Sequence, residues 1–239
     1  MKNTLERIIP ELIHKENRVD NETLRLHLER YHFAGKNILP GTIADIACGV
    51  GYGSYLLITQ YGDAINRIYA IDKDAESIQW AVDHYPNPLI TYINEDAFNF
   101  HPAEPVNNII SLETIEHLPN PEIFIRQVSA HLAPGGRFIA SVPITPSMDA
   151  NPYHLNDFTR SGFIRMFIAS GFRILNFLLQ KQPYNPFTVR KQNEMRYQHL
   201  RKNIFLYYRT NPNKFLLRLS SIARDGFCNK YMIATFEKL

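Results

Sequence analysis

The chain has 239 residues, 45% of them apolar and 21% charged, and a formal net charge of +3. These proportions exclude a disordered or collagen-like chain and are typical of a globular protein of one or two domains. The charge is unevenly distributed, because residues 1–180 contain 14 Lys and Arg against 20 Asp and Glu, whereas residues 181–239 contain 12 against 3. The two parts therefore carry net charges of −6 and +9, and we expect them to present different kinds of surface.

The two cysteines, Cys48 and Cys228, lie 180 positions apart. This spacing fits neither a secreted disulfide scaffold nor a metal knuckle. The N-terminal segment carries charges throughout, and no stretch of the chain reaches the roughly 18 uninterrupted apolar residues of a transmembrane helix. These features predict a reduced, cytoplasmic protein without a transmembrane segment.

The apolar spacing near the N-terminus is that of two helices, one around 4–14 and interrupted by Pro10, the other over about 21–35. From Thr42 to about residue 180, short β-rich runs alternate with helical stretches, which predicts βα units stacked into a parallel sheet. We therefore divide the chain into an N-terminal helical cap (1–41), a core domain (42–182 and 227–239) and a basic, helical insertion (183–226).

A glycine-rich loop, Asp45-Ile-Ala-Cys-Gly49-Val-Gly51-Tyr-Gly53, follows the first predicted strand and precedes a helix. Its glycines permit a sharp turn and a close approach to a ligand. The second strand ends at Asp72, 19 residues after Gly53, where a carboxylate can accept both hydroxyls of a ribose. The pattern predicts a nucleoside site, although a structural turn is the alternative.

The dinucleotide fingerprint G-x-G-x-x-G does not fit this loop, because it would put Ser54 at the third glycine. A carboxylate at Asp45 repels phosphates and suits a cation such as the ammonium of a methionine. The loop resembles the first motif of the class I S-adenosylmethionine-dependent methyltransferases, and the resemblance extends over about residues 27–180.

This resemblance implies a Rossmann-like, doubly wound sheet of seven strands, mostly parallel with an antiparallel last strand, together with N-terminal helices and a helical insertion before that strand. It implies S-adenosylmethionine as the cofactor. The segment 27–34 is similar to the element that closes over the methionine end in bacterial members linked with glycan and natural-product modification. The cofactor-binding residues implied are Tyr31, Asp45, Ala47, Cys48, Gly49, Gly51, Asp72, Lys73, Asp96, Ala97, Leu112 and Glu113.

A second motif, Glu113-Thr-Ile-Glu116-His117, begins where the fourth predicted strand ends. Spacings of three and four place the three polar side chains on one side of a helical turn. Ligands of parallel sheets bind at this edge, and methyl transfer to a hydroxyl requires alignment and proton removal. We therefore expect His117 near the acceptor.

This string is similar to the metal-binding motif of the ubiquinone-pathway O-methyltransferases and of the small-RNA 3′-end 2′-O-methyltransferases. In the latter, a further histidine precedes an aromatic-Thr-Arg run, and His154 before Phe158-Thr159-Arg160 is the matching position. The resemblance implies a divalent ion (Mg, Mn, Fe or Zn) bound by Glu113, Glu116, His117 and His154. Related metal-free methyltransferases carry a similar string, and in them the glutamate after the fourth strand touches the cofactor and the histidine is a base or only a structural partner.

We therefore predict an S-adenosylmethionine-dependent methyltransferase (EC 2.1.1.-) that acts on a hydroxyl of a small molecule or sugar, with His117 and His154 as catalytic residues. The alternatives are an RNA 2′-O-methyltransferase, a non-catalytic cofactor-binding protein and a nucleotide-dependent oxidoreductase. Nucleic acid is not favoured as a partner, because no RNA-binding module is recognisable. The insertion is interpreted as a solvated face, a lid for an acidic acceptor, a membrane or nucleic-acid contact, or a surface for homo-oligomers.

Overall fold

The structure is a computed structural model that describes residues 2–4, 7–13, 17–191 and 203–239. Its strands are β1 (Gly41–Ile46), β2 (Ile65–Asp72), β3 (Ile90–Asn94), β4 (Val106–Leu112), β5 (Leu132–Pro143), β6 (Phe172–Pro183) and β7 (Cys228–Lys238). The helices in these residues are α1 (Arg18–Asn37), α2 (Tyr52–Tyr61), α3 (Ala75–His84), α4 (Pro121–Ser129), α5 (Arg160–Ala169), α6 (Pro186–Lys191), α7 (Ile204–Thr210) and α8 (Pro212–Asp225).

The strands form one seven-stranded sheet in the order β3-β2-β1-β4-β5-β7-β6. Strands β1 to β5 pair in parallel, whereas β7 runs antiparallel to both β5 and β6. Strands β1 to β3 are added towards one edge of the sheet and β4 onwards towards the other, so the strand order reverses between β1 and β4. The carboxyl ends of these two strands flank a crevice of the kind that binds ligands in α/β sheets. This architecture confirms the predicted fold class.

Two apolar cores cover the two faces of the sheet. Neighbouring strand residues point to opposite faces, so Ile43 belongs to one core and Ala44 to the other. One core packs α4 and α5 against the sheet through aromatic residues such as Phe124, Phe163 and Phe167. The other core includes Tyr31 and Ala34 of α1, and this helix packs against α2 and against strands β5, β6 and β7.

The N-terminal segment differs from the prediction. The described residues of the expected helix around 4–14 contain only a 3₁₀ turn, Pro10–Leu12. The residue before a proline is biased to extended backbone, and Ile9 is extended with its N–H donated to Asn3 Oδ1 (2.7 Å). Side-chain contacts tie this segment down, because Arg7 pairs with Asp74 and Glu11 accepts a hydrogen bond from Tyr85.

The second N-terminal helix, α1, is longer than its predicted span at both ends. Asn17 begins it by accepting a hydrogen bond from the N–H of Asp20 through its side chain, a cap that adds a turn. None of the helices in the described ranges has the length and apolar character needed to cross a membrane.

The insertion between β6 and β7 contains α6, α7 and α8 in its described residues, and residues 192–202 lie outside them. The insertion's basic and aromatic residues Arg196, Tyr197, Arg201 and Lys202 lie within 192–202, outside the described residues. Helix α8 ends at Gly226, which has a left-handed φ of 70°.

Candidate functional site at the carboxyl edge of the sheet

The loop after β1 turns through three left-handed residues, Ala47 (φ 61°), Gly49 (φ 57°) and Gly51 (φ 84°), before α2 begins. At Gly51 a side chain is also excluded by space, since a Cβ there would lie 2.6 Å from the Cβ of Ala81. At Gly49 a Cβ would meet nothing within 4 Å. The loop backbone at Gly49 is therefore open to an approaching ligand.

Asp45 lies at the end of β1 and is 1% exposed. It accepts hydrogen bonds from Ser54 Oγ (2.5 Å) and Tyr31 Oη (3.2 Å). Burial raises the pKa of Asp45 to about 6, although both hydrogen bonds oppose this shift. A buried carboxylate held by two neutral donors is suited to a cationic ligand.

Asp72 lies at the end of β2, on the other side of the loop. The N–H of Gly49 donates to its Oδ2 (2.8 Å) and the N–H of Asp74 donates to its Oδ1 (2.9 Å). Burial raises the pKa of Asp72, while these two hydrogen bonds oppose the rise. Each carboxylate oxygen has a second lone pair, so the orientation fixed by the backbone leaves acceptor capacity for a pair of hydroxyls.

Helix α1 covers this loop. The ring of Tyr31 packs so closely on Gly53 that a Cβ there would lie 1.9 Å from Tyr31 Cζ. Tyr31 also makes an edge-to-face contact with Tyr52, at 6.1 Å between ring centroids. His27, one turn earlier, lies 2.9 Å from Tyr52 Oη through Nδ1, and burial together with the charge of Arg30 lowers its pKa to about 3. His27 is therefore neutral at physiological pH.

Arg30 is a buried site residue to which the sequence analysis assigned no role. Its side chain is 2% exposed, donates from Nε to Gln180 Oε1 (2.8 Å), and lies with Cζ 4.5 Å from the ring centroid of Tyr231. Its Nη2 is 3.7 Å from Glu113 Oε2. Its burial could have been predicted from the sequence, because Arg30 lies one helical turn before the apolar Ala34. This spacing places the arginine on the face of α1 that packs on the core.

Glu113 turns towards Arg30 and β5. Its φ of 51° is left-handed, which is uncommon for a residue with a side chain and typical of functional sites. Ser141 Oγ donates to Glu113 Oε1 (2.7 Å). Glu113 is engaged by Ser141 and Arg30. It is therefore not part of the group formed by Glu116, His117 and His154.

Glu116, His117 and His154 come together instead. Their ligand atoms all lie within 4.8 Å of one another, and the rings of the two histidines are 4.7 Å apart and perpendicular. His117 Nδ1 donates to the carbonyl of Tyr153 (3.1 Å), and His154 Nδ1 lies 2.8 Å from Ser147 Oγ. The loop that carries His154 is attached to the motif because the N–H of Leu155 donates to the carbonyl of Glu116 (2.9 Å).

The other predicted cofactor residues surround the ends of the first four strands. Asp96 is exposed in the turn after β3, where its side chain accepts from the N–H of Phe98 (2.9 Å), and Ala97 packs on the core. Lys73 is exposed after β2, and Leu112 is half-buried at the end of β4. Cys48 is 4% exposed and its N–H donates to the carbonyl of Ile71 (3.0 Å).

Comparison with known proteins identifies this arrangement. Residues 17–176 match the model of a family described as the methyltransferase domain. This chain belongs to that family. The family's cofactor is S-adenosylmethionine, and the matched range contains the glycine loop, Asp72 and the Glu113–His117 motif.

Several proteins have sequences similar to this chain. A protein of Mycolicibacterium smegmatis named "probable S-adenosylmethionine-dependent methyltransferase" is 25% identical over 177 residues, which are 72% of this chain and 65% of the relative. The trans-aconitate 2-methyltransferase of an Azoarcus strain is 28% identical over 102 residues, which are 43% of this chain and 39% of that enzyme. The chain thus spans less than two thirds of the length of these relatives.

The fold is shared with solved structures. One from Bacillus halodurans, described as a candidate methyltransferase, superposes with a TM-score of 0.65 at 14% identity, covering 88% of this chain and 98% of that one. The Rossmann-like fold is therefore shared with a protein whose sequence identity to this chain is only 14%.

Proposed function

We propose that the chain transfers a methyl group from S-adenosylmethionine to a hydroxyl of a small molecule or sugar. The observation that supports this best is the pair of imidazoles, His117 and His154, beside the end of β4. The end of β4 adjoins the end of β1, where Asp45 lies. A cofactor bound at β1 and β2 and an acceptor bound beside the histidines would meet at this crevice.

The residues present fit the cofactor. Asp45 offers a buried carboxylate to the ammonium of the methionine moiety, and Asp72 offers its oxygens to the ribose hydroxyls. Arg30 adds a buried cation near Glu113, where it suits the methionine carboxylate. Tyr31 covers the loop from α1, and the remaining contacts belong to Ala47, Cys48, Gly49, Gly51, Lys73, Asp96, Ala97, Leu112 and Glu113.

Proton removal falls to the histidines. When bound, S-adenosylmethionine would supply an electrophilic methyl group to an acceptor oxygen in line with the C–S bond, and S-adenosylhomocysteine would leave with the electron pair of that bond. Because His117 donates from Nδ1 to the carbonyl of Tyr153, its neutral ring carries the lone pair on Nε2, the atom suited to take the acceptor's proton. The ring of His154 lies perpendicular to the ring of His117 and is the second imidazole that would contact the acceptor.

The side chains of Glu116, His117 and His154 together also fit a divalent ion. One carboxylate from Glu116 and two imidazoles form a donor set that leaves positions open for an acceptor oxygen. Such a set suits manganese, iron or zinc better than magnesium, which prefers oxygen ligands. The ion would lower the pKa of the acceptor hydroxyl. Glu113 is not part of this proposed site, because it lies against Ser141 and Arg30.

A small-molecule acceptor agrees with the relative named for trans-aconitate. We place the reaction in the cytoplasm, since Cys48 and Cys228 are both buried free thiols. The second candidate acceptor is an RNA 2′-hydroxyl, which the meeting of Glu116, His117 and His154 favours. Uptake of labelled methyl groups by hydroxyl-bearing small molecules, compared with short RNAs, distinguishes the two.

Calorimetric titration with S-adenosylhomocysteine tests the cofactor site. We expect binding to the wild-type chain, a loss of most of that binding in Asp72→Ala, and no change in the matched control Asp83→Ala on the exposed side of α3. Binding of NAD(H) in place of S-adenosylhomocysteine would contradict the proposal. A bound cofactor with no methyl uptake by any acceptor would favour the non-catalytic alternative.

A further inference from the structure

Helix α8 turns the cations Lys214 and Arg218 towards the body of the molecule and several large apolar residues outwards. On the inner side, Lys214 Nζ pairs with Asp157 Oδ2 (2.7 Å) and Arg218 Nη2 pairs with Asp149 Oδ1 (2.5 Å). Ser221, one turn further, is buried. The helix is therefore attached to the body by ion pairs rather than by its apolar stripe, the reverse of an ordinary surface helix.

The outer side of α8 is apolar and continues onto α7. Leu216 and Leu217 are 61% and 52% exposed, and Phe205 on α7 is 88% exposed. The two helices contact each other through the rings of Tyr208 and Phe215, at 5.1 Å between centroids. We call this the α7–α8 apolar surface, and its members are Phe205, Leu206, Phe215, Leu216, Leu217 and Leu219.

An exposed concentration of large apolar side chains marks an interaction surface. The positive charge of the insertion indicates which kind of partner this surface binds. The described helices α6, α7 and α8 contain six Lys and Arg and one acidic residue, Asp225, which pairs with Arg224 and Lys230. Lys214 and Arg218 are used in the ion pairs of the inner side, whereas Arg190, Lys191 and Arg209 are exposed.

This combination disfavours a symmetric contact between two copies through this surface, because such a contact would bring like charges together. An anionic bilayer supplies the opposite charge and an apolar interior at once. Residues 1–180 carry a net charge of −6, so only the insertion side of the molecule is attracted to such a surface. Charge thus sets the orientation of contact as well as its strength.

We propose that the α7–α8 apolar surface docks onto an anionic lipid bilayer, with its Phe and Leu side chains in the interface and Arg190, Lys191 and Arg209 among the headgroups. Asp149 and Asp157 belong to the loop that carries His154 and pair with the inner side of α8, so docking holds this loop one helix diameter (~10 Å) from the membrane. Resting on the proposed function, the acceptor is then an amphiphile in the same bilayer. Docking itself requires no methyl transfer.

Flotation of the full chain with vesicles tests the proposal. We expect binding to vesicles of mixed phosphatidylglycerol and phosphatidylcholine, with little binding to phosphatidylcholine alone. The double variant Phe205→Ser/Leu216→Ser should lower the partition coefficient roughly tenfold or more, because each side chain loses apolar burial. Val82→Ser/Ile123→Ser, which changes exposed apolar residues on α3 and α4, is the matched control and should bind as the wild type does.

The wild-type chain also gives a test independent of any variant, since binding should fall as salt screens the cations. Circular dichroism verifies that the variants are folded. Absence of wild-type binding to anionic vesicles, or an equal loss in the control variant, would overturn the proposal. A wild-type dimer that Phe205→Ser/Leu216→Ser dissociates would assign the surface to a second copy instead. These outcomes do not depend on whether methyl transfer is detected.

Discussion

Asp45, for which we propose a cationic ligand, is a single residue whose burial costs stability. Its carboxylate is buried, and its pKa is raised to about 6 from the ordinary value of 3.8. The folded chain therefore binds more protons than the unfolded chain between about pH 4 and pH 6, so stability falls as the pH rises through this window. Above it, the full cost of burying the charge is present.

We predict that Asp45→Asn stabilises the cofactor-free chain at pH 7 by about 1–3 kcal/mol, because the amide keeps a hydrogen-bond acceptor and removes the buried charge. The same variant should lose S-adenosylhomocysteine binding, because the ammonium loses its counter-charge. Urea unfolding and calorimetry measure the two effects.

The exposed Asp83→Asn is the control and should change the free energy of unfolding by less than about 0.5 kcal/mol. In the wild type, affinity for S-adenosylhomocysteine should fall as the pH drops below about 6, because Asp45 becomes protonated. An affinity independent of pH in that range would show that Asp45 does not bind the ammonium.

At the scale of elements, two ion pairs join α8 to the loop between β5 and α5. Arg218 and Asp149 form the more buried pair, with Tyr208 Oη also donating to Asp149 Oδ2 (2.6 Å). The Arg218 hydrogen bonds lower the pKa of Asp149 against the effect of burial. Because the folded pKa is depressed, this contribution to stability is present above about pH 4 and is lost as the pH falls through the folded value.

We predict that Arg218→Met destabilises the chain by about 3 kcal/mol at pH 7, because it leaves the Asp149 carboxylate buried without its cation. Denaturant unfolding gives the free energy, and hydrogen exchange should report faster exchange in α8 than in the sheet. Arg209→Met, at an exposed position of α7, is the control. A similar loss in both variants would contradict a specific role for the buried pair.

At the scale of the whole molecule, the group that we propose as the acceptor side is assembled from segments distant in sequence. Glu116 and His117 follow β4, whereas His154 comes from the loop after β5, and the sheet brings them within ligand distance. Glu113 belongs to the same motif but contacts Arg30 of α1 and Ser141 of β5.

Elemental analysis of the purified chain tests whether Glu116, His117 and His154 bind a metal without Glu113. We predict a stoichiometric divalent metal in the wild type, a loss in His117→Ala and His154→Ala because each removes a ligand, and retention in Glu113→Gln, which lies outside the ligand group. Full methyl transfer by a metal-free wild type would contradict the metal and leave the histidines as bases. Loss of metal in Glu113→Gln would contradict the geometry.

Much of the fold follows from local patterns. The βα rhythm from Thr42 onward predicts the parallel sheet because apolar periodicity reports which face of each element is buried. The helix expected around 4–14 fails in its described residues because contacts distant in sequence, such as Arg7 with Asp74, decide the conformation there. Propensity carries no information about such partners.

The sequence alone determined the fold class, the glycine loop with Asp45 and Asp72, and the E-x-x-E-H motif, because each is encoded within a few residues by spacing and chemistry. Tertiary structure decided what that spacing leaves open: that Glu113 faces Arg30 rather than the histidines, that Arg30 is buried in the site, and that α8 exposes its leucines. These depend on which segments meet across the sheet, and a one-dimensional pattern does not specify those contacts.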